Sequence, residues 1–119
     1  MGQARYDLDT ARIMFDTGRY LYVLFCCQQA LEKGLKGMIL YRSKGFPPRI
    51  HNLPRLAEVA GIDLDKERQQ TYAELSALYI QTRYPEEIES LGKRVSREAA
   101  WKWFQTTERE IAWLLSMIP

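Results

Sequence analysis

The chain has 119 residues, 46% of them hydrophobic and 27% charged, with a formal net charge of +2. That size suits one domain spanning residues 1–119, able to bury about two-thirds of its unfolded surface without disulfide or metal staples. So small a positive charge excludes a surface that tracks nucleic-acid backbones along its whole length and leaves room only for a local anion site.

No apolar run approaches the roughly 20 residues of a membrane span. Met1 to Asp9 carry Arg5, Asp7 and Asp9 and no apolar signal core. The expectation is a cytoplasmic protein with no membrane partner. Cys26 and Cys27 are adjacent within a predicted helix, where neighbours point about 100° apart. They are expected to be small buried hydrophobes in a reducing compartment, neither disulfide-bonded nor zinc-bound.

The periodicity predicts an all-α fold of about five helices, with a long central second helix and a short third; no sustained period of two suggests a strand. The first helix is expected from Ala4 to Asp16, with Ala11, Met14 and Phe15 inward and Gly18 as its stop. The second should run from Arg19 to Ser43 with three faces. Leu21, Leu24, Gln28, Leu31, Leu35 and Met38 form an apolar stripe, with Phe25 and Ile39 at its edge. Val23, Cys27, Ala30, Gly34 and Gly37 form a face of small residues. A glycine in a helix costs about 1 kcal/mol against alanine, so these two imply close backbone approach. Tyr22, Cys26, Gln29, Lys33, Lys36 and Leu40 make the third, narrow face.

Gly45, Pro47 and Pro48 break the pattern, and a short helix follows from Asn52 to Ala60, stopped by Gly61. A fourth spans Asp65 to Thr82, with Tyr72, Leu75, Leu78 and Tyr79 inward, and ends where Pro85 bars the α region to Tyr84. Glu86 to Arg94 reads as a polar link. Ser96 then caps the last helix, whose apolar stripe is Ala100, Trp103, Phe104, Thr107, Ile111, Leu114 and Ile118.

Three groups of residues bear chemistry. Gln29, Lys33 and Lys36 recur at i, i+4 and i+7 on one side of the second helix, where two ammonium groups suit a phosphate. The single histidine, His51, stands between the proline loop and the third helix. Arg83 offers a fork for phosphate and Tyr84 an aromatic face for stacking, both aimed by Pro85. Trp113 lies off the last helix's stripe and Trp101 at its margin, which suits a dimer interface. No nucleophile elbow, phosphate loop or zinc-protease motif occurs, so no catalytic residue, metal ligand or cofactor is assigned.

Gly18-Arg19-Tyr20, then Gln28-Gln29-Ala30-Leu31-Glu32-Lys33 with Lys36, then His51-Asn52-Leu53, then Thr82-Arg83-Tyr84-Pro85 occur in that order. Together they resemble the HEPN domain, over nearly the whole chain from Ala4 to Met117. The resemblance implies an up-and-down helical bundle and a homodimer. It further implies either ribonuclease activity through an arginine–histidine motif, or nucleotide binding beside a minimal nucleotidyltransferase in a two-component, toxin–antitoxin-like system. The chain departs from the nuclease pattern, since no histidine follows Arg83, and Arg49 and Arg42 stand two and nine residues before His51. The expectation is therefore a homodimeric nucleotide- or phosphate-binding module paired with a nucleotidyltransferase. Gln29, Lys33 and Lys36 form its floor, and His51, Arg83 and Tyr84 its rim. The alternatives are an RNA-cleaving toxin using Arg83 and His51, and a ligand-free dimeric adaptor.

Overall fold

Glycine and side-chain caps set several of the helix boundaries in the computed structural model, which describes residues 2–42 and 44–119. Six helices follow one another: α1 (Gly2–Asp16), α2 (Tyr20–Tyr41), α3 (Leu53–Val59), α4 (Lys66–Gln81), α5 (Pro85–Arg94) and α6 (Arg97–Leu115). Ser43, the expected last residue of the second helix, lies outside the described residues with Met1. No strand occurs among the described residues. None of the helices is long and apolar enough to cross a membrane.

Gly18 and Gly61 take φ of 76° and 73°, the left-handed conformation expected after a helix end. Asn52, Asp65 and Ser96 each accept a backbone N–H three residues on, at the starts of α3, α4 and α6. Such caps contribute about 1 kcal/mol apiece. At the other end of α3, the Arg42 guanidinium donates to the carbonyls of Ala60 and Gly61.

The described residues form one helix more than the periodicity predicts. Glu86 to Arg94, expected as a polar link, belongs to α5. Its charges explain why it folds: Pro85 sits in the first turn with Glu86 and Glu87, and Lys93 and Arg94 in the last, so both ends complement the helix dipole. Only Leu91 is buried, and Arg94 donates to Gln81 Oε1 of α4 at 3.3 Å, so α5 is held to the body by few side chains.

With 22 residues, α2 is the longest helix and touches each of the other five, α1 and α6 most extensively. Its buried Val23, Cys27, Leu31, Leu35, Met38 and Ile39 join Ala4, Ala11 and Phe15 of α1 and Phe104, Ile111 and Leu114 of α6 in one core. Burial pushes the Cys27 thiol up to about 12, so it acts as a small apolar residue. Both cysteines are free.

Close approach at Gly34 is real. A Cβ there would lie 3.1 Å from Ile111 Cδ1 and 3.3 Å from Leu114 Cδ1. Phe25 departs from the expected edge of the apolar stripe and is 40% exposed.

A carboxylate interrupts the apolar stripe of α6. Glu110 is buried, and its Oε1 accepts from Arg68 Nε and from the Tyr72 hydroxyl, both at 2.8 Å. The Arg68 guanidinium also lies 3.8 Å from the centre of the Trp113 ring. These side chains bridge α4 and α6, which make no backbone approach of their own.

Leucine at position 34 should therefore cost about 1–3 kcal/mol through overpacking, read as a lower urea midpoint. Gly92→Ala, where the nearest atom is Leu21 Cδ2 at 3.9 Å, should leave stability unchanged or raise it by up to about 1 kcal/mol.

Candidate functional site

A buried carboxylate on α2 organises the polar residues around it. Glu32 is 4% exposed, and a charge so deep must be paired and hydrogen-bonded. Its Oε1 accepts from Gln28 Nε2 at 3.0 Å and meets His51 Nδ1 at 2.7 Å; its Oε2 accepts from Lys36 Nζ at 3.0 Å. Burial alone pushes this carboxyl upward. The hydrogen bonds from Gln28, His51 and Lys36, with the charge of Lys36, outweigh burial and hold it below its ordinary value. Glu32 is thus ionised and can only accept, so a neutral His51 must carry its proton on Nδ1 and leave Nε2 as an acceptor.

Gln28 explains how a fully buried amide survives in an apolar stripe. Its Nε2 donates to Glu32 and, at 3.2 Å, to the carbonyl of His51; its Oε1 accepts from Gln29 Nε2 at 2.9 Å. The His51 carbonyl also receives the Ser76 hydroxyl at 3.5 Å, and the same hydroxyl oxygen accepts Leu53 N–H at 2.9 Å. Both the backbone and the ring of His51 are consequently anchored to α2, and the backbone to α4 as well.

The expected polar face of the second helix divides. Lys33 and Lys36 differ by about 60° around the helix, and each has its own carboxylate. Lys33 Nζ lies 2.8 Å from Asp7 of α1, whereas Lys36 turns to Glu32 and shares it with His51. Gln29, Lys36 and His51 therefore belong to one hydrogen-bonded group, and Lys33 to the α1–α2 seam.

Tyr79, in the last turn of α4, ties Arg83 to this group. Its buried ring has the His51 imidazole at 5.3 Å, the Phe25 ring at 5.6 Å and the Arg83 guanidinium at 5.4 Å from its centre. The charged form of Arg83 is favoured first by the Tyr79 hydroxyl and more weakly by Tyr84 and Glu32. Arg83 and Tyr84 are exposed, and Arg83 forms no salt bridge among the described residues.

Trp101 and Trp113 are half-buried within their own chain. Trp101 packs on Phe15 and stacks on Phe104, with the Arg12 guanidinium over its face. Trp113 carries Arg68 on its ring. No group of histidine, cysteine or carboxylate side chains among the described residues is arranged to hold a metal ion.

Reading the sequence by faces missed Glu32 and Tyr79. The signal for Glu32 was Gln28: an amide inside an apolar stripe needs a partner, and Glu32 lies one turn on. Tyr79 carried no signal beyond its inward position, because its neighbours come from distant parts of the chain.

An all-helical body with a long second helix, and a polar corner made by that helix with the approach to α3 and the end of α4, define a class of small domain. A family model for the HEPN domain matches residues 1–117, and the chain belongs to the HEPN domain family. No curated protein and no solved structure matches it.

Because the folded-state value for Glu32 is lowered, its contribution to stability is complete above the ordinary carboxyl value of 4.5 and is lost as pH falls through the folded value. Glu32→Gln should lose about 1–3 kcal/mol at neutral pH. In urea unfolding across acid pH it should also lack the part of the decline that the carboxylate causes.

Proposed function

We propose that this HEPN-family protein is a homodimeric module that binds a nucleotide through its phosphates at the corner formed by His51 and Arg83. The observation that carries the reading is the contrast in charge pairing. Lys33 and Lys36 are already matched by Asp7 and Glu32, whereas the exposed Arg83 guanidinium makes no salt bridge among the described residues. Arg83 supplies the fork for a phosphate. His51 Nε2, held outward by the bond at Nδ1, donates to the phosphate when protonated, and the exposed Tyr84 ring offers a stacking face. Lys36 lends charge from the floor and Lys33 does not take part. The pairing with a separately encoded nucleotidyltransferase, in a two-component system of toxin–antitoxin type within the cytoplasm, rests on family membership.

A second reading is favoured by the contact between Glu32 and His51. A carboxylate that fixes the Nδ1–H tautomer leaves Nε2 able to take a proton, which is the requirement for a general base acting on an RNA 2′-hydroxyl. With Arg83 against the same Tyr79 ring to stabilise the phosphorane charge, the corner offers a base and a cation for RNA cleavage, the protonated His51 or water giving the leaving 5′-oxygen its proton, in an order different from the family's nuclease motif.

Titration calorimetry with ADP separates these readings when run beside incubation with tRNA. Under the binding reading, ADP binds and RNA stays intact. Arg83→Ala and His51→Ala each weaken binding about ten-fold or more, as loss of a charge-assisted contact should, and Lys33→Ala leaves it unchanged. RNA cleavage lost in both Arg83→Ala and His51→Ala would install the second reading. Absence of both ADP binding and cleavage would leave a ligand-free adaptor.

The homodimer uses the outward side of α2 in this proposal, where Tyr22 is 55% and Phe25 is 40% exposed, because the rings of Trp101 and Trp113 are engaged within the chain. Sedimentation velocity should give a dimer for the wild type and a monomer for Tyr22→Glu. Trp101→Ala and Trp113→Ala should lower thermal stability and leave the dimer intact.

A further inference from the structure

We infer that Tyr79 is a positioning residue that makes His51 and Arg83 act as one unit, so that phosphate capture depends on a ring almost out of the ligand's reach. The inference rests on the phosphate-binding reading of this corner and adds a residue that reading does not use.

Tyr79 is only 8% exposed. Its three neighbours come from three separate pieces of chain: Phe25 from α2, His51 from the approach to α3, and Arg83 from the turn after α4. The backbone on which the ring stands is also fixed. The Tyr79 carbonyl accepts both the Thr82 hydroxyl, at 2.6 Å, and the Thr82 N–H, at 3.1 Å, which closes the end of α4. Arg83 leaves the helix immediately after that closure, one turn beyond the ring it rests on.

Each functional side chain lacks one constraint that Tyr79 supplies. The bond to Glu32 fixes one atom of the His51 ring but not the plane of the ring, and packing against Tyr79 fixes the plane. A free Arg83 side chain samples many rotamers. Resting its guanidinium on an aromatic face restricts it before any ligand arrives and lowers the ordering cost of binding. A change in the Tyr79 ring therefore reaches both groups at once. Arg83 and His51 should be energetically coupled through it although no direct bond joins them.

The single histidine makes the coupling measurable, because protein labelled with ¹⁵N-histidine gives one pair of ring-nitrogen signals. The wild type, Tyr79→Phe and Tyr79→Leu should all show the Nδ1–H tautomer when the ring is neutral, because Glu32 fixes it, and of the two variants only Tyr79→Leu should shift the ring-nitrogen signals. Arg83→Ala should shift the His51 ring signals when Tyr79 is present and leave them unmoved in Tyr79→Leu. For ADP, Tyr79→Phe, which keeps the ring and loses only the hydroxyl near Arg83, should bind more tightly than Tyr79→Leu. Arg83→Ala and Tyr79→Leu should each weaken binding, and the double variant should be at least about three-fold tighter than the product of the two losses, the mark of coupled residues.

Losses that simply multiply, or an equal shift of the His51 signals by Arg83→Ala in both backgrounds, would overturn the inference. Should Tyr79→Leu fail to fold, Tyr79→Met fills similar volume without an aromatic face and is scored by the same criteria. If the wild type does not bind ADP, the phosphate-binding reading falls by itself, while the ring signals still decide whether Tyr79 couples Arg83 to His51.

Discussion

Removing a carboxylate from water is costly, and the fold is arranged to meet that cost at Glu32. An ion this deep is tolerated only when its partners arrive in fixed positions. Gln28 and Lys36 are supplied by the same helix, one turn before and one turn after. The third partner, His51, comes from beyond the proline loop and is brought in only when α3 and α4 have docked. The local pairs can form in an isolated helix; the contact that completes the set reports that the tertiary structure is present. Gln28 strengthens this dependence, because one amide group binds both the Glu32 side chain and the His51 backbone. Sliding α2 by one turn would strand the carboxylate, the amide and the carbonyl together.

A comparable solution appears between α4 and α6. Glu110 is buried there with Arg68 and Tyr72, and the Tyr72 hydroxyl is pushed upward by its burial and by the neighbouring carboxylate. Each end of α4 is thus tied to a buried acid, directly at Glu110 and through the Tyr79–His51 contact near Glu32. Between these ties α4 packs through Tyr72, Leu75, Ser76 and Tyr79, so its position is specified by polar geometry as much as by apolar area. On α1, Asp7 performs a simpler task, pairing with Lys33 at a partly exposed seam, where such a contact adds little stability.

Much of this architecture was legible in the sequence because it obeys local rules. Gly18, Gly61, Asn52, Asp65 and Ser96 end or start helices for reasons that act within a few residues, and each does so in the structure. Gly34 signalled close packing because a glycine inside a helix costs about 1 kcal/mol against alanine, and Ile111 and Leu114 do press on it. The miss at Glu86 to Arg94 has a physical cause: α5 buries only Leu91 and is stabilised by the order of its charges, which a search for apolar stripes passes over. At the polar corner, helical spacing grouped Lys33 with Lys36 because both lie on one broad side of α2. It could not reveal that Asp7 and Glu32 would draw them apart, since that depends on which helix packs on which flank. His51 and Arg83 were singled out one at a time, and their common neighbour was invisible because Tyr79 looks like any other inward aromatic residue.

The way His51 is anchored has a consequence for how such a domain can change over generations. Its backbone carbonyl is gripped by Gln28, and the next residue, Asn52, caps α3, so the main chain around position 51 is fixed without help from the imidazole. The backbone there behaves as a socket, provided that the side chain plugged in still meets the buried Glu32. A substitution that keeps a donor toward Glu32 alters the chemistry of the corner while leaving the backbone frame intact, and the reverse exchange is as accessible. A lineage built on this frame can change the chemistry of its polar corner by small steps, without rebuilding the helices that surround it.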